Sequence, residues 1–115
     1  MIVILGIDNE LGKYLQDYLK YKCEYSVIGF NSYDLNITID NIKPYSELYK
    51  MLVENISEDD IVINCMNIYN INENKNRLFL INGIFPQFLD RICVKRNCQF
   101  IHSTNDLVFN GEQGN

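Results

Sequence analysis

The chain has 115 residues, 47 % of them hydrophobic, a formal net charge of −5 and a pI of about 4.7. That length suits one domain, able to bury roughly two thirds of its unfolded surface without a disulfide or metal staple. An acidic chain with no basic cluster excludes nucleic acid and anionic membrane as main partners. No apolar run approaches the ~18 residues of a membrane span. The start, Met1-Ile2-Val3-Ile4-Leu5-Gly6, lacks the basic lead and long apolar region of a signal peptide, so the expected location is cytoplasmic. Cys23, Cys65, Cys93 and Cys98 form no C-x-x-C pair, and the one histidine is His102. Reduced thiols and no zinc site are therefore expected. Asn and Ile are abundant and Ala and Trp absent, which reads as coding bias.

Ile2–Leu5 is a β-branched run closed by Gly6 and reads as a buried strand. Leu11, Leu15 and Leu19, flanked by Tyr14 and Tyr18, put one apolar stripe on a helix from about Glu10 to Lys20. Ser26–Phe30 is the second strand, and Leu35–Ile39 reads as a short third. Tyr45, Leu48, Leu52 and Val53 mark a helix beginning near Pro44. After the polar turn Glu58-Asp59-Asp60, Ile61-Val62-Ile63 is an apolar strand of the buried parallel type. Leu78, Ile81, Phe85, Phe88, Leu89 and Ile92 predict a long helix from about Asn76 to Lys95, with Pro86 as a point for a kink. Cys98–Ser103 is the fifth strand, and residues 110–115 read as a loop. The sum is an α/β fold: a Rossmann-like, doubly wound parallel sheet of five strands in the order 3-2-1-4-5. Such sheets bind ligands at the carboxyl ends of their strands.

The first turn, Gly6-Ile7-Asp8-Asn9-Glu10-Leu11-Gly12, lies where a dinucleotide fingerprint belongs, between a strand and a helix. That chemistry needs a tight turn, close backbone approach to a pyrophosphate and N–H groups aimed at the anion. Gly6 and Gly12 can serve the turn and the helix packing, and Asn9 is the non-glycine type that best tolerates a left-handed centre. Asp8 and Glu10 suit a helix N-terminus but mildly repel a diphosphate. The end of the second strand, Phe30-Asn31-Ser32, offers neither the acid that takes ribose hydroxyls nor an Arg for a 2′-phosphate. Asn31 can hydrogen-bond a ribose, and the missing cation leans against strict NADP dependence. Cys65 is better read as a packed thiol than a nucleophile, and His102 as a satisfied structural histidine. Ser103-Thr104-Asn105-Asp106 can be catalytic or can be turn formers and caps; chemistry alone leaves the two even.

Three stretches together resemble the reductases of dTDP-4-dehydrorhamnose, extended short-chain dehydrogenase/reductases of surface-glycan sugar synthesis. They are Ile61-Val62-Ile63-Asn64-Cys65, Ile81-Asn82-Gly83-Ile84-Phe85-Pro86, and the block from Ile101-His102-Ser103-Thr104-Asn105-Asp106 through Leu107-Val108-Phe109-Asn110-Gly111 to Gly114. The resemblance implies one NAD(P)-binding domain over residues 1–115, with NADH or NADPH as cofactor. It carries the family's first turn onto Gly6, Asn9, Leu11 and Gly12, and its cofactor contacts there onto Glu10 and Leu11. The acid after the second strand corresponds to Asn31, and the pair near the adenine to Asn36 and Ile37. The contacts after the fourth strand correspond to Asn67, Ile68 and Tyr69, and the position before the Ser-Thr-Asp motif to Ser103. That motif itself falls on Thr104, Asn105 and Asp106, making Thr104 and Asn105 the catalytic candidates, with asparagine where the family has its threonine.

The resemblance further implies hydride transfer to the 4-keto group of a dTDP- or UDP-linked 6-deoxyhexulose. The family's Tyr-x-x-x-Lys pair follows the strand-5 block by a few tens of residues, so the expectation is a nucleotide-binding part that does not catalyse alone and meets the nucleotide-sugar only with a further C-terminal part. The rival expectation is a non-catalytic binding or regulatory module that kept the fold. If the gene stops at Asn115, the edge of the fifth strand and uncovered apolar helix faces predict a homo-oligomer.

Overall fold

The computed structural model describes residues 1–68 and 72–103. Four strands form one parallel sheet: β1 (Ile2–Leu5), β2 (Val27–Phe30), β3 (Ile61–Asn64) and β4 (Gln99–His102). Their order is β2-β1-β3-β4. The register is even, with Leu5 opposite Phe30 on one side and Asn64 on the other, and Asn64 opposite His102. All the strand carboxyl ends therefore finish along one edge.

Strand β1 is central, and Val3, Ile4 and Leu5 are fully buried. Burial on both faces is what a near-continuous apolar run in a parallel sheet requires. Helix α1 (Glu10–Asp17) packs on β1 and β2 and runs on through a π-helical turn, Tyr18–Lys22. The helix and the turn before it lie so close to β2 that a Cβ on Gly29 would meet Ile7 Cγ2 of the turn at 2.6 Å and Gln16 Nε2 of α1 at 2.7 Å. The opposite face carries the main core, in which Val3, Leu5 and Val62 meet Leu48 and Leu52 of α3 (Glu47–Asn55). Ile81, Phe85, Leu89 and Ile92 of the later helical run complete that core. With helices on both faces, the chain is α/β with a parallel sheet, as the alternating pattern predicted.

The expected five strands in the order 3-2-1-4-5 are corrected by the segment 32–39. Among the described residues the sheet has four strands, and the predicted strand Leu35–Ile39 is not one of them. Instead Ser32–Leu35 forms a short helix, α2. Asn31 and Asp34 close a reciprocal capping box at its start, and Asn36 ends it in a left-handed conformation (φ 43°, ψ 60°). Leu35 and Ile37 still enter the core, which is why their alternation imitates a strand. The carbonyls a ladder would have used are taken by side chains: Asn41 Nδ2 donates to Asn36 O and Arg77 Nη1 to Ile37 O.

Other boundaries move less. Helix α3 starts at Glu47, capped by Ser46, because Tyr45 has φ 67° and cannot belong to it. The long helix becomes α4 (Lys75–Phe79), a π-helical turn Leu80–Ile84, and α5 (Phe85–Arg96). Pro86 has no N–H to give, and the looser turn just before it absorbs the missing ladder bond.

Candidate functional site at the carboxyl edge of the sheet

Gly6 leaves β1 with φ +93°, and a Cβ there would meet Met66 Sδ at 3.0 Å and the Cys65 carbonyl carbon at 3.1 Å. Gly12 crosses above it: an added Cβ would lie 2.0 Å from Gly6 O and 2.7 Å from Gly6 C. The amino end of α1 is thus seated directly on the turn after the central strand. The first-turn N–H groups of a helix have no partner within it. The Asn9 side-chain oxygen takes the N–H of Gly12 at 2.9 Å, and the Asn9 carbonyl takes that of Lys13. Among the described residues no hydrogen-bond partner is found for the N–H groups of Glu10 and Leu11, two exposed residues at the helix end where the macrodipole favours an anion.

Asn9 does not adopt the left-handed conformation expected of it. Its backbone is extended (φ −96°, ψ 166°), as an N-cap requires. With Oδ1 on Gly12, its Nδ2 donates to Cys65 O at the end of β3. The neighbouring Asp8 reaches the other way and accepts from both the N–H and the hydroxyl of Ser32 beyond β2. Burial pulls the Asp8 carboxyl upward, but the bonds from the Ser32 hydroxyl and N–H and from its own N–H outweigh it and leave it below its ordinary value.

On the far side of β1, asparagines stitch β3 to β4. Asn64 is fully buried; its Oδ1 accepts from Met66 N–H at 3.0 Å, and its Nδ2 meets His102 Nδ1 at the same distance. Since the Asn64 oxygen is committed to a donor, its NH₂ must face the imidazole. His102 therefore accepts at Nδ1 and carries its proton on Nε2. Burial holds the His102 pKa below its ordinary value. Asn67 Nδ2 donates to Ser103 O at 2.6 Å and is 2.8 Å from Ser103 Oγ. Asn82, on the π-helical turn, clamps both main-chain groups of Ile68 at 2.9 and 3.0 Å. Cys65 is fully buried, and burial raises its thiol pKa, which suits packing better than nucleophilic attack.

The structure brings Gly6, Asn9, Glu10, Leu11, Gly12, Asn31, Asn67, Ile68 and Ser103 to this one edge. Asn31 spends its side chain on the Asp34 N–H. Asn36 lies on the surface after α2, and Ile37 is 3 % exposed, its side chain in the core. Tyr69, Thr104 and Asn105 lie outside the described residues. Reading the sequence missed Asn64 and Asn82 as rim builders, together with the Asp8–Ser32 and Asn9–Cys65 bridges. A polar residue ending an apolar strand was the available signal for Asn64.

The half-buried histidine carries a pH prediction. A folded-state pKa below the unfolded value of about 6.5 means that the unfolded chain binds the proton first. The pair's contribution is therefore complete above that value and shrinks as pH falls through it. Urea midpoints of the wild type should fall between about pH 7.5 and 5.5, and this slope should flatten in His102→Gln, whose amide oxygen can still accept from Asn64. Equal slopes in the two proteins would contradict the assignment.

Fold and rim together define a parallel α/β sheet compatible with the Rossmann-like arrangement, with a glycine-crossed turn at the end of its central strand. Comparison with protein-family models, curated proteins and solved structures gives no match.

Proposed function

We propose that the chain is the dinucleotide-binding portion of an NAD(P)-dependent reductase of the short-chain dehydrogenase/reductase type. The observation that carries this reading is the crossing of Gly12 over Gly6 at the carboxyl end of β1. It seats the first turn of α1, which holds Glu10 and Leu11, on the carboxyl end of β1, the strand that has β2 on one side and β3 on the other. In a doubly wound sheet the opening between β1 and β3 is the switch point, where a pyrophosphate can meet a helix N-terminus. The sequence resemblance supports the finer reading: NADH or NADPH as hydride donor, a dTDP- or UDP-linked 6-deoxyhexulose as acceptor, and Asn67, Ile68 and Ser103 among the cofactor contacts. With no Arg or Lys at Phe30-Asn31-Ser32, NADH should bind at least as well as NADPH.

A second reading rests on a specific observation. Asn9 and Asp8 spend their side chains on Gly12, Cys65 and Ser32, so the turn is closed by its own bonds. That favours a module that kept the fold without the chemistry. Calorimetric titration with NADH and NADPH separates the two. The reductase reading expects saturable binding of one dinucleotide per chain. Absence of binding to the longest natural polypeptide containing this chain supports the module and rejects the first reading.

A further inference from the structure

The carboxyl end of α5 brings two cysteines together. Asn97 is left-handed (φ 58°, ψ 48°), its N–H bonds Val94 O at 3.2 Å, and the N–H of Cys98 bonds Cys93 O at 3.0 Å. These two bonds define a Schellman turn, in which the first and sixth residues normally make an apolar side-chain contact. Here those residues are Cys93 and Cys98. The main-chain bond between them holds their Cα atoms close to the separation, roughly 4.4–6.8 Å, that a disulfide spans. The Cys98 Sγ donates to Cys93 O at 3.6 Å, which turns the Cys98 thiol back toward the Cys93 main chain. Both thiols are free, Cys93 buried and Cys98 half-buried.

We propose that Cys93 and Cys98 are a thiol modification site, closing to a reversible intramolecular disulfide with a low-molecular-weight disulfide such as oxidised glutathione as oxidant. The Cys98 thiolate, the more accessible of the two, attacks one glutathione sulfur. The glutathione S–S bond breaks, a Cys98–glutathione mixed disulfide forms, and one glutathione thiolate leaves. The Cys93 thiolate then attacks Cys98 Sγ and expels the second glutathione. Two protein thiols are oxidised, one glutathione disulfide is reduced, and the two thiol protons end on the two glutathiones. Burial and the Cys98 contact push the Cys93 thiol well above its ordinary pKa, so the second step is the slow one. The product ties the end of α5 to the start of β4, whose other end carries His102 beside Asn64.

The test uses the chain with the exposed Cys23 changed to Ser, equilibrated in glutathione redox buffers, quenched with acid and alkylated. Peptide mapping is expected to show a Cys93–Cys98 bridge, lighter by two hydrogens, that grows with the oxidised fraction and disappears with dithiothreitol. A glutathione adduct on Cys98 should precede it. In Cys93→Ser that adduct should persist, and in Cys98→Ser the buried Cys93 should stay reduced. A wild-type pair that ends as the stable Cys98 adduct, or that remains fully alkylatable in the most oxidising buffer, would overturn the proposal. Circular dichroism of each serine variant confirms that the comparison is made between folded chains.

Discussion

Replacing Gly12 with alanine is expected to destabilise the chain by at least about 3 kcal/mol, a large share of the roughly 5–15 kcal/mol that holds a domain folded. The added methyl would sit 2.0 Å from Gly6 O, 2.7 Å from Gly6 C and 3.0 Å from Ile7 Cα. All three are main-chain atoms, so no rotamer change can make room. Relief would require lifting α1 off β1, which would also break the Gly12–Asn9 cap and the Asn9–Cys65 bridge. Gly83→Ala is the matched control. Its Cβ would meet only Phe79 ring carbons at 3.4 and 3.5 Å, an ordinary contact, inside a helical turn. It should change stability by no more than about 1 kcal/mol, in the stabilising direction if at all. Urea denaturation of both variants checks this; similar losses would mean that the Gly6–Gly12 crossing is looser than described.

The second large effect is expected at Asn64. Substitution by leucine keeps the branched shape but leaves the buried Met66 N–H and the half-buried His102 Nδ1 without their partner, and forces two methyl groups into a fully buried place. Unsatisfied buried groups cost about 1–3 kcal/mol each, so a combined loss of roughly 2–4 kcal/mol is expected. Asn64→Asp gives a sharper signature. A carboxylate still accepts from Met66 N–H but cannot donate to His102, and instead favours the imidazolium. The His102 pKa would then rise above its unfolded value. Its contribution would be complete below about pH 6.5 and would fade as pH rises through the folded value, reversing the wild-type slope. A wild-type sign in Asn64→Asp would contradict the paired geometry.

The strands were readable because a buried parallel strand leaves a local mark: Ile2–Leu5 and Ile61–Ile63 are apolar runs bounded by turn residues. The segment 35–39 misled for the same reason. Leu35 and Ile37 alternate like a strand because both are core residues, yet the Asn31–Asp34 capping box and the left-handed Asn36 decide the backbone there. A 3.6-residue period cannot reveal the π-helical turns at Tyr18–Lys22 and Leu80–Ile84: the second keeps Ile81 buried as a plain helix would, and the first buries none of its residues.

The asparagines show the deeper limit. Their abundance reads as composition, but in the fold Asn9, Asn31 and Asn74 cap helices, Asn36 and Asn97 end them, and Asn64, Asn67 and Asn82 stitch the rim. Caps are local and can be found from spacing. The stitches Asn9–Cys65, Asn64–His102 and Asn67–Ser103 join residues far apart in the chain, so only the strand register reveals them. Because the amide is both donor and acceptor, one side chain can accept from one element and donate to another, which neither Ala nor an ionised Asp at the same position could do.

The most direct test of the account is backbone amide NMR of the ¹⁵N-labelled chain titrated with NADH. The account predicts shift changes concentrated at Gly6–Gly12, with Glu10 and Leu11 the largest, and extending to Asn31, Ser32, Asn67 and Ile68, with helices α3 and α5 unmoved. An unchanged spectrum at saturating dinucleotide, or changes confined to the α3–α5 face, would contradict it.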